Sequence, residues 1–208
     1  TNFPAAPWIA GVVISDNCNN DDPCTANLVS TACGSKALGT NTGATDSGIG
    51  VPSCGAYTGG DRWFSVTVPP SGDLSLEYVS TVGGITDMGM SAYTTTDCSN
   101  PAMFTEIGCS ATTMPNIPLT GLTPGNTVYI RAWENNNDNT GTFEVEITDP
   151  SNLFCLNGDA TMPNFPTDSC MQSTIATGNQ AGCAWYQNTL DFSLNFDFTF
   201  NVYLGNND

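Results

Sequence analysis

The chain has 208 residues, with 20 acidic side chains against Lys36, Arg62 and Arg131, no histidine, and a formal net charge of −17. That balance excludes nucleic acid as a partner, because almost nothing is present to neutralise phosphates, and it argues against anionic membrane surfaces and direct membrane insertion. It suits a solvated acidic surface or one that binds cations.

Residues 1–19 form an N-terminal strand or linker with an apolar run from Trp8 to Ile14, able to serve as an edge strand on a neighbour. The chain starts at Thr1 rather than Met and has neither a leader nor a transmembrane run, which reads as a mature product or an excised segment. Residues 16–24 are turn chemistry, crowded with Asp16, Asn17, Asn19, Asn20, Asp21 and Asp22.

From residue 25 to 149, short apolar stretches alternate with Gly, Pro, Asn and Asp. Strands are predicted over 62–68, 73–79, 87–93, 105–109, 127–133 and 141–148. Pro69-Pro70-Ser71-Gly72 and Gly121-Leu122-Thr123-Pro124-Gly125 act as punctuation, and Asn135 to Asn139 as a hairpin loop. No helical periodicity of useful length occurs. The fold class is therefore all-β: an antiparallel, jelly-roll-like sandwich over 20–149. A second β unit, incomplete or completed by another chain, spans 150–208.

Within that second unit, Asp191 to Leu204 shows strict period-two alternation. Phe192, Leu194, Phe196, Phe198, Phe200, Val202 and Leu204 fall on one face. Phe192, Phe196, Phe198 and Phe200 are expected to be buried, against a neighbouring domain or as an assembly strand added to a sister subunit.

Nine cysteines in a Gly-, Asn- and Thr-rich chain point to an oxidising compartment and to disulfides. A structural zinc site is disfavoured, since there is neither histidine nor a C-x-x-C pair. Cys98 and Cys109 bracket a short loop and are the expected bridge. Cys18, Cys24, Cys33 and Cys54 are expected to form two more, in an order the sequence leaves open. Cys155, Cys170 and Cys183 belong to the second unit.

Catalysis is disfavoured. Without histidine there is no Ser-His-Asp or Cys-His arrangement, and Asp61, Glu77, Glu106, Glu134, Glu144 and Glu146 form no motif. Calcium is the expected cofactor if there is one, because hard cations take oxygen ligands. The candidate ligands are Asp16, Asp21 and Asp22 near the start and Asp138 in the Asn135–Asn139 loop. Trp63, Trp133, Tyr57 and Tyr129 are candidates for a carbohydrate platform; a place in the core is the favoured alternative for both tryptophans. Arg62 and Arg131 are expected to stack on these rings or to pair with carboxylates.

Residues 20 to about 148 carry Asn20-Asp21-Asp22-Pro23-Cys24, Asn41-Thr42-Gly43-Ala44-Thr45, Pro52-Ser53-Cys54 and Gly59-Gly60-Asp61-Arg62-Trp63-Phe64. They go on to Leu119-Thr120-Gly121-Leu122-Thr123-Pro124-Gly125, Tyr129-Ile130-Arg131-Ala132-Trp133 and Gly141-Thr142-Phe143. In order and spacing this resembles the bacterial pre-peptidase C-terminal type of accessory β-sandwich domain. Residues 153–208 hold Leu156-Asn157-Gly158-Asp159-Ala160, Asn179-Gln180-Ala181-Gly182, Ala184-Trp185 and Phe196-Asp197-Phe198. They resemble the opening of a bacterial L-type, legume-lectin-like domain, short of the segment that would bind calcium and sugar.

The two resemblances imply a secreted or cell-surface bacterial protein of the kind exported by type IX secretion. The expected function is that of a non-catalytic module of an adhesin or filament, contacting extracellular glycans or sister subunits. An accessory domain of a secreted hydrolase and a fibre subunit assembled by strand addition are the alternatives.

Overall fold

The computed structural model describes residues 20–32, 35–151, 154–158, 160 and 182–186. The expected N-terminal strand, Asp16, Cys18, Cys33, Cys170 and the terminal alternating segment with Phe192, Phe196, Phe198 and Phe200 lie outside them.

The described chain is all-β and falls into two compact units that part between Ser151 and Asn152. The first is a sandwich of two sheets. One sheet has five strands, β1 (Asn27–Leu28), β3 (Asp61–Thr67), β8 (Thr127–Glu134), β5 (Met88–Thr94) and β6 (Thr105–Thr112), in that spatial order. The other has four: β2 (Lys36–Thr40), β9 (Gly141–Thr148), β4 (Leu74–Gly83) and β7 (Asn116–Leu119). Every pairing is antiparallel except β1 with β3. In the second unit, β10 (Phe154–Gly158) pairs antiparallel with β11 (Gly182–Tyr186). No helix among the described residues is long and apolar enough to cross a membrane.

The main core lies between the two sheets. From the five-stranded sheet it takes Phe64, Val66, Met88, Met90, Ala92, Val128, Ile130 and Ala132; from the other, Leu74, Leu76, Tyr78, Ile117, Phe143, Val145 and Ile147. The period-two alternation dictates this on β9, where Phe143, Val145 and Ile147 point in. Glu144 and Glu146 fall on the opposite face, and Lys36 lies 3.8 Å from Glu144 in a half-exposed pair that contributes little to stability.

Alternation fails on β3, where six consecutive residues from Asp61 to Val66 are buried. The outer face of the five-stranded sheet is covered as well. The loop of residues 41–60 lies over it, and Ile49 joins Trp63 and Tyr93 in a second, smaller core. Trp133 belongs to this covered face and lies across β5 beside its register partner Gly89. A Cβ built on Gly89 would stand 2.1 Å from the Trp133 ring, so only glycine admits the indole there. Gly89→Ala is expected to destabilise the sandwich by about 1–3 kcal/mol, as overpacking of a filled core does. A denaturant midpoint unchanged from wild type would contradict this packing.

Candidate functional site

The covered face is organised by one buried ion pair. Arg131 projects from β8 and Asp61 from the start of β3, and both side chains are fully buried. The Arg131 Nε donates to Asp61 Oδ2. Its Nη1 donates to the carbonyls of Ile49 at 3.1 Å and Gly50 at 2.8 Å. Its Nη2 stands 3.5 Å from Asp46. Asp61 also accepts from the Ser47 hydroxyl at 2.8 Å and the Tyr57 hydroxyl at 3.0 Å. Burial pushes the Asp61 carboxyl above its ordinary range, against the opposing pull of Arg131, Ser47 and Tyr57. Burial and the neighbouring Asp61 push the Tyr57 phenol far up, so it stays a donor. The Gly48 N–H and the Tyr57 hydroxyl hold Asp46 below its ordinary value.

Aromatic rings close around the guanidinium. Its carbon sits 3.9 Å from the Tyr57 ring centre and 5.5 Å from that of Trp63. Tyr57 meets Trp133 edge-on, and Trp63, Tyr93, Phe104 and Tyr129 continue the cluster. The carbohydrate-platform expectation for Trp63 and Trp133 is thereby corrected. Neither tryptophan exposes any surface, and a ring with no open face cannot stack on a sugar. Tyr57 is likewise committed inward, by its ring to Arg131 and by its hydroxyl to Asp46 and Asp61.

Disulfides tie the covering segments to the β5–β6 hairpin. Cys24 is bonded to Cys98, and Cys54 to Cys109. The expected Cys98–Cys109 bridge is therefore overturned, as is the pairing of Cys24 and Cys54 within the N-terminal cysteines. The physical reason is topological. The segment around Cys24 and the loop around Cys54 both fold over the five-stranded sheet, so each meets a cysteine of the hairpin rather than one near in sequence. Ser53 adds hydrogen bonds from its N–H and its hydroxyl to Glu106, and the Ala56 N–H donates to Asn135 Oδ1 at 3.1 Å.

Residues 20–22, the described part of the first Asp and Asn cluster, and the Asn135–Asn137 stretch of the second fold as turns. Asp21 accepts from Arg62 Nη1 and from the Thr45 N–H, each at 2.9 Å. The Asp22 side chain is exposed, and its carbonyl accepts from Thr25. In the hairpin loop, Asn136 and Asn137 have φ of 64° and 51°, the left-handed region that Asn tolerates better than most residues. Asp138 accepts from the Asn139 side chain. The loop amides of Asp138 and Asn139 donate to buried Glu134 at 2.9 and 3.3 Å. Burial pushes the Glu134 carboxyl up, although those amides oppose it. Among the described residues, no three Asp, Glu or Cys side chains gather as metal ligands would.

A cleft opens at one end of the five-stranded sheet, where β5 ends, β6 begins and β8 begins. It measures about 610 Å³ and is lined by Thr94, Thr95, Thr96, Asp97, Cys98, Met103, Thr105, Asn126, Thr127 and Tyr129. Five threonines, an amide and a carboxylate give it a dense set of hydrogen-bonding groups. Half-buried Tyr129 and half-exposed Met103 give it apolar surface. The Ser99 hydroxyl and N–H hold Asp97 below its ordinary value, so it is an ionised acceptor at neutral pH. The Cys24–Cys98 bridge fixes one rim. None of the threonines, Asp97 or Asn126 stands out in the sequence, because Thr and Asn at strand ends read as ordinary turn residues. Of the lining residues, only Tyr129 is among the aromatic candidates the sequence offers for a carbohydrate platform.

Comparison with models of known protein families gives no match, and comparison with curated proteins gives none at a significant level.

Proposed function

We propose that this chain is a non-catalytic recognition module of a secreted or cell-surface adhesin, and that it holds a neutral saccharide in the cleft between Thr94–Asp97 and Asn126–Tyr129. The observation that carries this reading is the lining of the cleft. A sugar presents many hydroxyls and one or two apolar ring faces, and Thr, Asn and Asp groups beside a tyrosine ring complement both. The net charge of −17 favours a neutral sugar over an anionic one. The two disulfides suggest an extracellular or otherwise oxidising environment. The resemblance of residues 20–148 to accessory β-sandwich domains, and of 153–208 to the start of an L-type lectin domain, supports the adhesin context.

Titration calorimetry against a panel of neutral and acidic oligosaccharides tests the proposal. Asp97→Ala and Asn126→Ala are each expected to weaken binding about tenfold, the scale of one lost hydrogen bond to a charged or amide group. Both side chains are exposed, so the melting temperature should stay at the wild-type value. Binding that survives both substitutions, or a panel with no binder, would overturn the assignment.

A further inference from the structure

Antiparallel sheets leave unpaired N–H and C=O groups along their outermost strands, and natural proteins guard such edges with short strands, proline, charge or bulges. Three of the four edges of this sandwich are guarded. β1 has two residues; β2 has five and carries Lys36 and Gly39; β7 has four and carries Pro118. The fourth, β6, runs for eight residues as Thr-Glu-Ile-Gly-Cys-Ser-Ala-Thr, with no proline and no basic side chain. Among the described residues it pairs only with β5, and its register slips once, near Ile107. Beyond that bulge, Gly108–Thr112 is regular and uncharged. Among the described residues nothing pairs with its outward backbone groups. The strand is also held firmly, because Cys109 is bonded to Cys54 and Glu106 accepts from Ser53 and Tyr93.

Charge says what kind of strand would add there. The three basic side chains of the chain are all engaged internally: Lys36 with Glu144, Arg62 with Asp21, and Arg131 with Asp61. The rest of the surface is acidic. Asp97 lies in the loop before β6 and lines the same cleft as Thr105, the first residue of the strand, so a carboxylate stands near the start of the edge. A second copy of this chain would bring the same net charge of −17 against it. We infer that β6 is a docking edge for an extended, lysine- or arginine-bearing segment of a partner protein, added as a sixth strand to the five-stranded sheet. Main-chain hydrogen bonds along Gly108–Thr112 supply the register, and a basic side chain of the added segment meets Asp97 near the start of the strand.

The test uses the whole chain and capped decapeptides that alternate lysine with valine or glutamate with valine. The lysine peptide is expected to bind, to slow amide exchange at Gly108–Thr112, and to bind more weakly as salt rises. Thr105→Lys with Thr112→Lys places guarding charges at two exposed ends of β6 and should weaken binding about tenfold. Asn116→Lys with Thr120→Lys changes the net charge equally on and just beyond β7 and should leave affinity within about twofold of wild type. Equal weakening by the two double variants would reduce the effect to diffuse attraction and overturn the inference. So would binding without protection of β6, or equal binding of the glutamate peptide. Protection of β6 by self-association alone would assign the edge to a second copy instead.

Discussion

Asp61→Ala is expected to lower the unfolding free energy by about 3–5 kcal/mol, because it leaves the Arg131 guanidinium charged and buried without its main counter-charge. The loss should exceed that of deleting any surface carboxylate, such as Glu77 on the solvent face of β4. It should also spread. Ser47 and Tyr57 lose their common acceptor, and with it the loop of residues 41–60 loses two of its attachments to the sheet. Arg131→Met should cost a similar amount, since Asp61 would then be the unpaired charge. The double variant Asp61→Leu with Arg131→Met should be less damaged than the sum of the two singles, because a buried ion pair replaced by apolar groups leaves no stranded charge. Urea unfolding of the four proteins forms the cycle. Strict additivity, or an Asp61→Ala loss below about 1 kcal/mol, would show that the pair is not the organising contact of the covered face.

Much of the sandwich was legible in the residues. β3, β4, β5, β8 and β9 lie within a residue or two of the predicted spans at most ends, because each combines β-branched or aromatic residues with Gly or Pro punctuation. β4 and β6 run further than expected, to Gly83 and Thr112. β2 was missed for a reason visible in its packing. Lys36-Ala37-Leu38-Gly39-Thr40 turns its small residues inward, since the Phe143 and Phe64 rings fill the space over Gly39. β7 was missed because Pro118 argues against a strand, and here the strand is an edge that tolerates proline.

The covered outer face was legible only in its tryptophans, favoured as core residues and buried here, and not in what covers them. Trp63 and Arg131 look half-exposed on alternating strands, and only the passage of residues 41–60 across the sheet buries them. That contact joins positions such as Ile49 and Arg131 that no local pattern connects. The same distance hid the Arg131–Asp61 pair, although an interaction of Arg131 with some ring or carboxylate was expected. The cleft is hidden differently: it is assembled from the ends of three strands, each with unremarkable threonines.

Removing the Cys54–Cys109 bridge, by Cys54→Ala with Cys109→Ala, is expected to cost about 4 kcal/mol. The bridge spans 55 residues, and the entropy returned to the unfolded chain grows with the logarithm of that span. The Cys98–Cys109 pairing suggested by sequence proximity would close a much shorter loop and restrain the unfolded chain less, at about 3 kcal/mol. Connectivity is read directly by proteolytic mapping without reductant, which should recover peptides joined through Cys24–Cys98 and Cys54–Cys109. A Cys98–Cys109 peptide would refute the topology of the covering loop along with the bridge. The energetic test has its own signature. The bridge and the Asp61 network hold the same loop, so Asp61→Ala in the bridge-free protein should cost less than it does in the intact one, once the loop has already loosened. Amide exchange should quicken first at Ala56, whose N–H leans on Asn135, and at Ser53 beside Glu106, while Phe64, Val66 and Ile130 in the inner core keep their protection. If exchange quickens equally in both cores, the loop is part of a single cooperative unit rather than a layer latched onto a finished sandwich.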